Sequence, residues 1–159
     1  MEQPSKIIEV FSSYSHRDEL LRDEADKHLS VLRRRGIIRS WYDRNIDAGA
    51  EFAHEIDEHL NSAHLIILYI SADFIASDYC YSVEMTRAME RHERGEAQVI
   101  PVILRACDWK HAPFGKLKAL PKDGKAVTSW LNIDEALTDV AIEVRKAIEG
   151  RIQHYLSAL

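Results

Sequence analysis

The chain has only two cysteines in 159 residues, no glycine-rich loop, no long apolar run and no excess of basic charge. Each absence removes a class of protein. Cys80 and Cys107 show neither CxxC pairing nor the spacing of a disulfide framework, so both read as free thiols in a reducing compartment. No apolar stretch approaches the roughly 20 residues of a membrane span, and Met1–Lys6 lacks the apolar core of a signal peptide. The chain therefore reads as cytoplasmic, with no membrane partner. With 26 acidic against 21 basic side chains the formal charge is -5, which argues against direct binding to nucleic acid. The one basic run, Arg33-Arg34-Arg35, falls where a helix should end, and cations there complement the helix dipole.

Familiar catalytic signatures are missing too. No GxGxxG or GxxxxGK[ST] follows a strand, so neither a dinucleotide fingerprint nor a P-loop is present. No GxSxG elbow offers a serine nucleophile. The run from His54 to His59 is superficially similar to HExxH, but its histidines are five apart. On a helix they point about 140° away from each other and cannot share one ion. No metal site is expected.

What is present is an alternation of strand and helix patterns suited to one domain of this length. Ile7–Phe11, Ile37–Tyr42, Leu65–Ile70, Gln98–Leu104 and Ala126–Trp130 read as strands. Between the first two, Leu21, Ala25, Leu29 and Leu32 form one helical stripe that ends at Gly36, and Ser15 with Asp18 resembles a capping box at its start. A second helix carries Phe52, Ile56, Leu60 and Ala63. A third is expected to open at a Ser77 or Asp78 cap, bury Val83, Ala88 and Met89, and stop at Gly95. A last helix from about Asp134 presents Leu137, Val140, Val144 and Ile148. Pro101 is awkward inside a strand, because proline cannot donate a ladder bond. The order implies an α/β fold: a flavodoxin-like five-stranded parallel sheet, order 2-1-3-4-5, with helices on both faces.

In such a sheet ligands bind beyond the carboxyl ends of the strands. The loops gathered there are Ser12–His16, Asp43–Ala50 and Ser71–Cys80, which would bring Tyr14, Ser15, Asp43, Asp47 and Glu84 to one edge. Glu84, on the helix after the central strand, is the leading candidate for chemistry. A solvated carboxylate assisted by the helix dipole is the plainer explanation of the same position.

Five segments together resemble a TIR (Toll/interleukin receptor) domain of the bacterial immune-effector kind. They are Phe11–Glu19 (FSSYSHRDE), Trp41–Gly49 (WYDRNIDAG), Ser77–Met85 (SDYCYSVEM), Val99–Leu104 (VIPVIL) and Pro113–Trp130. The likeness runs from Ile7 to about Ile148, as a single domain with a core of about 6–150. It implies an NAD⁺ nucleosidase with Glu84 as the catalytic glutamate and NAD⁺ as substrate rather than cofactor. It places Tyr14 and Ser15 in one loop of the nucleotide site, and Asp43, Ile46 and Asp47 in the family's BB loop. Many catalytic members carry tryptophan four residues before the glutamate. That position is Cys80 here, flanked by Tyr79 and Tyr81 as alternative aromatic faces. The Pro-Gly common in the BB loop is Ala48-Gly49. The resemblance further implies self-association with other TIR domains and leaves room for a fused sensor domain. A non-catalytic TIR–TIR interaction module is the alternative function. Whether the product is ADP-ribose or a cyclic isomer is open at this level.

Overall fold

The computed structural model describes residues 7–42 and 58–157. Four strands, β1 (Ile8–Ser13), β2 (Ile38–Trp41), β3 (Leu65–Ile70) and β4 (Gln98–Ile103), form one parallel sheet in the order β2-β1-β3-β4. Val10 lies opposite Leu65, and Leu68 opposite Pro101. The central strand β3 is buried along its whole length, as a run of six apolar residues requires.

Alternation along β3 divides the core between the two faces of the sheet. Leu65, Ile67 and Tyr69 pack with Ala25, Leu29 and Leu32 from α1 (Glu19–Lys27) and α2 (Ser30–Arg34) with its approach, and with the final helix. Ile66, Leu68 and Ile70 pack with Leu60, Phe74, Met85, Ala88 and Met89 on the other face. Those residues come from a helical stretch over 58–62, from α3 (Ala72–Ala76), from a π-helical segment Asp78–Met85, and from α4 (Thr86–Glu93). The final helix, α5 (Ile133–Ser157), contributes Leu137, Val140, Val144 and Ile148 to the first face, as their spacing predicts.

Glycine ends two of these helices for the expected reason. Gly36 has φ +71° and Gly95 φ +72°, the left-handed conformation of a C′ residue. At the first, Ile37 N donates to Leu32 O at 2.9 Å and Gly36 N to Arg33 O at 3.0 Å, which is a Schellman pair. Glu96 N to Arg91 O at 2.9 Å and Gly95 N to His92 O at 3.1 Å repeat it.

Pro101 is accommodated because its nitrogen faces away from β3. Its carbonyl accepts from Leu120 N at 2.9 Å on the outer side of β4, and Ile103 N donates to Leu120 O at 2.8 Å on that same side. The missing N–H therefore costs the sheet no rung. This same lane corrects the expected fifth strand. Leu120 makes an isolated parallel bridge with Val102, and residues 127–129 form a 3-10 turn instead of a strand. Ser129 N and Trp130 N are satisfied locally by Ala126 O and Val127 O, so they are not available to a ladder. The described sheet is four-stranded, with strand order 2-1-3-4.

Three local expectations also change. The Ser15–Asp18 pair is not a capping box. Ser15 Oγ accepts from Arg17 N at 3.3 Å at the head of a short 3-10 turn, while the Asp18 carboxylate turns into the protein. The polar residues after β3 open the short helix α3, because Ser71 Oγ accepts from Phe74 N at 3.1 Å. Val83, expected in the core beside Ala88 and Met89, is 42% exposed. The wider i→i+5 turns of the π-helical segment shift the buried face to Cys80, Glu84 and Met85.

Candidate functional site

Ser77 opens the π-helical segment by accepting from Cys80 N at 3.1 Å, which is the predicted cap. Two side chains from this segment then reach the carboxyl end of β1. Ser13 Oγ, on the last residue of β1, donates to Glu84 Oε1 at 2.8 Å. One residue on, Tyr14 O accepts from Cys80 Sγ at 3.4 Å. Four residues are close to one turn of this wide helix, so Cys80 and Glu84 share a face and meet consecutive residues of the strand end. Glu84 is 2% exposed and Ser13 1%. A carboxylate so enclosed needs polar partners to stay charged, and Ser13 supplies one of them.

The other expected site residues distribute as follows. Tyr14 is buried beside Glu84's strand partner, with its ring edge-on to His16 at 6.3 Å and tilted against Tyr42 at 6.4 Å. Ser15 is buried and bound to the turn that follows it. Tyr79 and Tyr81 are half-buried and pack against the core cluster that holds Cys80 and Met85. Asp43, Ile46 and Asp47 lie outside the described residues. The structure thus brings Tyr14, Cys80 and Glu84 together, with Ser15 next in the chain.

Residues that sequence reasoning did not single out complete this edge. Ser13 is one; a polar pair, Ser12-Ser13, ending a mostly apolar strand was the available signal. A second group ties the strand ends together. Asp18, 3% exposed, accepts from Ser71 Oγ on one oxygen and from Arg105 Nε at 2.9 Å on the other. Arg105 also donates to Asp73, and that hydrogen bond, with the two nearby carboxylates, raises the guanidinium above its ordinary pKa. These four residues follow β1, β3 and β4, so one polar network fixes three loops at the carboxyl edge. Cys107 lies just beyond, and burial pushes its thiol up. Among the described residues no group of three or more His, Cys, Asp or Glu side chains could hold a metal ion, and no helix is long and apolar enough to cross a membrane.

This arrangement can be set beside known proteins. The family model for the TIR domain matches residues 10–147. An uncharacterized protein, y4lF, of Sinorhizobium fredii (strain NBRC 101917 / NGR234) is 60% identical over 149 residues, covering 94% of this chain. The match takes in 46% of that protein, so the chain spans about half the length of this relative. Among solved structures, the TIR domains of the activated Roq1 resistosome, which directly recognizes the pathogen effector XopQ, align with a TM-score of 0.51 at 23% identity. The alignment covers 84% of this chain and 83% of that one, a likeness of fold. With the family model spanning nearly the whole sheet and both helical layers, the chain belongs to the TIR domain family.

Proposed function

We propose that this chain is an NAD⁺ nucleosidase in which Glu84 is the catalytic carboxylate. The observation that supports it most directly is the buried Ser13–Glu84 hydrogen bond at the carboxyl edge of the central strands. One carboxylate suffices for this chemistry. Hydrolysis of an O-glycoside needs an acid for the leaving oxygen as well as a second carboxylate. Nicotinamide leaves NAD⁺ as a neutral base: the C1′–N bond breaks with its electron pair going to the pyridine nitrogen, and no proton donor is required. What is left to the protein is to stabilise the cationic ribosyl centre until water, or the adenine ring in a cyclase, attacks it. A carboxylate held in place by Ser13 does this without reorganising at the moment of reaction. NAD⁺ is then substrate, and no further cofactor is called for.

Glu84 is enclosed in the single chain, so access for a dinucleotide requires an opened form, which self-association with other TIR domains would favour. The chain's span of about half its relative is in keeping with a module joined to a further segment such as a sensor, and the same reading makes it a cytoplasmic effector engaged in immunity such as anti-phage defence. The resistosome of the structural neighbour supports the assembly and immune parts of this reading. A second reading, a non-catalytic TIR–TIR interaction module, draws on Cys80, a small buried side chain where many catalytic members have tryptophan.

The deciding measurement is nicotinamide release from NAD⁺ by concentrated wild-type and Glu84→Ala protein under conditions that drive assembly. Release by the wild type and its loss in the variant support the enzyme. Equal background release from both leaves the interaction module. Separate Tyr79→Ala and Tyr81→Ala variants identify the aromatic face, since the residue that packs on substrate raises KM when removed.

A further inference from the structure

Arg22 is the largest fully buried side chain in the described protein, at 1% exposure. Its guanidinium carbon lies 4.0 Å from the ring centroid of Tyr42 and 4.7 Å from that of Tyr14, and it donates to Asp23. Tyr14 and Tyr42 are the residues immediately beyond the carboxyl ends of β1 and β2. The cation therefore holds two aromatic side chains on adjacent strand ends at once. On the sequence Arg22 shares the helical stripe with Ala25, Leu29 and Leu32, where an apolar residue would ordinarily stand.

A buried charge is costly, and an apolar side chain of similar volume often packs as well or better. The guanidinium differs from such a side chain in having a flat face that attracts the ring quadrupoles of both tyrosines. Tyr14 is bonded to Ser13, the Glu84 partner, and its own carbonyl receives the Cys80 thiol. Whatever fixes Tyr14 thus fixes the short stretch of β1 on which Cys80 and Glu84 rest.

We propose that Arg22 is a positioning residue for the candidate site: clamped between Tyr14 and Tyr42, it sets the end of β1 that carries the Ser13–Glu84 and Tyr14–Cys80 contacts. The consequence for substrate rests on the NAD⁺ reading above, whereas the clamp itself does not.

The two parts are tested separately in Arg22→Lys, which keeps the charge without the planar face, and in Tyr42→Leu, which removes one wall and leaves the cation in place. In each, alkylation of the buried Cys80 by N-ethylmaleimide is followed by mass spectrometry at several low urea concentrations, where a rate that rises with urea reports global opening and a rate independent of urea reports local opening. Cys80 is expected to react about thirtyfold faster and independently of urea, the factor corresponding to loss of a desolvated cation–π contact. Acceleration that rises with urea in step with global unfolding would make Arg22 an ordinary stabilising residue and overturn the proposal, as would no change in the Cys80 rate. In NAD⁺ cleavage the same variants are expected to lower kcat about fivefold with KM within about twofold, because the strand end they loosen holds the carboxylate that acts in the transition state. A fall in kcat no larger than the loss of folded fraction measured by circular dichroism on the same samples counts against positioning. If the wild type cleaves no NAD⁺ the catalytic reading fails, and the thiol measurements still decide the clamp.

Discussion

Replacing Ser13 by alanine removes one hydroxyl and leaves Glu84 Oε1 without the 2.8 Å bond it accepts from that hydroxyl. Both residues are buried, Ser13 at 1% and Glu84 at 2%, so water does not reach the vacated position without local opening. A hydrogen bond to a charged group contributes about 1.5–3 kcal/mol, and a neutral one about 1 kcal/mol. Ser13→Ala should therefore destabilise the domain by about 2 kcal/mol. For a chain of this size that is a fall of about 4–8 °C in Tm. Paired with Glu84→Gln, the substitution closes a double-mutant cycle. In the Glu84→Gln background the hydroxyl meets a neutral amide, and Ser13→Ala should cost only about 1 kcal/mol. Urea unfolding followed by far-UV circular dichroism measures all four proteins, provided that the m-value stays constant. A Ser13→Ala cost that is the same in both backgrounds would mean that the hydroxyl does not sense the carboxylate's charge, and Glu84 could not then be described as held by it. The Glu84→Gln protein itself should be at least as stable as the wild type, because it no longer encloses a charged group.

Three further outcomes follow from the same structure. A Cβ on Gly115 would stand 2.1 Å from Lys110 O, so Gly115→Ala should lower stability by about 2 kcal/mol or more; on Gly150, within α5, a Cβ meets nothing within 4 Å, and Gly150→Ala should raise stability by up to about 1 kcal/mol. Calorimetry of the two variants checks the opposite signs. Arg105→Gln removes the bridge between Asp18 and Asp73 and leaves the Asp18 carboxylate with Ser71, so a loss of about 1–2 kcal/mol is expected in urea; an unchanged midpoint would show that the network contributes nothing. Burial raises the Cys107 thiol above its ordinary 9.0, and only the thiolate is nucleophilic, so its alkylation should be slow at neutral pH and climb still beyond pH 9. A rate that levels off below pH 9 would contradict that environment.

The parts of the fold that were legible in advance are those where neighbours in sequence are also neighbours in space. The six-residue apolar run of β3 had to be buried on both faces, and it is. Stripes at helical spacing placed Ala25, Leu29 and Leu32 on one face of the sheet with Leu137, Val140 and Val144. The Ser77 cap and the glycine stops at Gly36 and Gly95 appear where local hydrogen-bonding rules put them. Where the outcome depended on groups distant in sequence, the local pattern misled. Asp18 sits at the right offset from Ser15 for a capping box, yet Ser71 and Arg105, 53 and 87 residues away, hold its carboxylate. Val83 has helical spacing for the core, but the π-helical turn rotates it out. Ala126–Trp130 has strand composition, but Leu120 already occupies the lane beside β4.

The candidate site divides in the same way. Local composition was enough to put one carboxylate, Glu84, on the helical segment after the central strand, because a buried strand and a capped segment are both written in short stretches of chain. Segments in fixed order were likewise enough for the family. What Glu84 touches was settled only by tertiary pairing. Parallel pairing of β1 with β3 brings the end of β1 beneath the π-helical segment, 71 residues later in the chain, and so makes Ser13 its partner. The pairing of β1 with β2 sets Tyr14 beside Tyr42 and gives a charged residue on an apolar stripe, Arg22, its place between them. Spacing along a chain encodes which face a side chain occupies; which distant group meets it there is set by strand order and register.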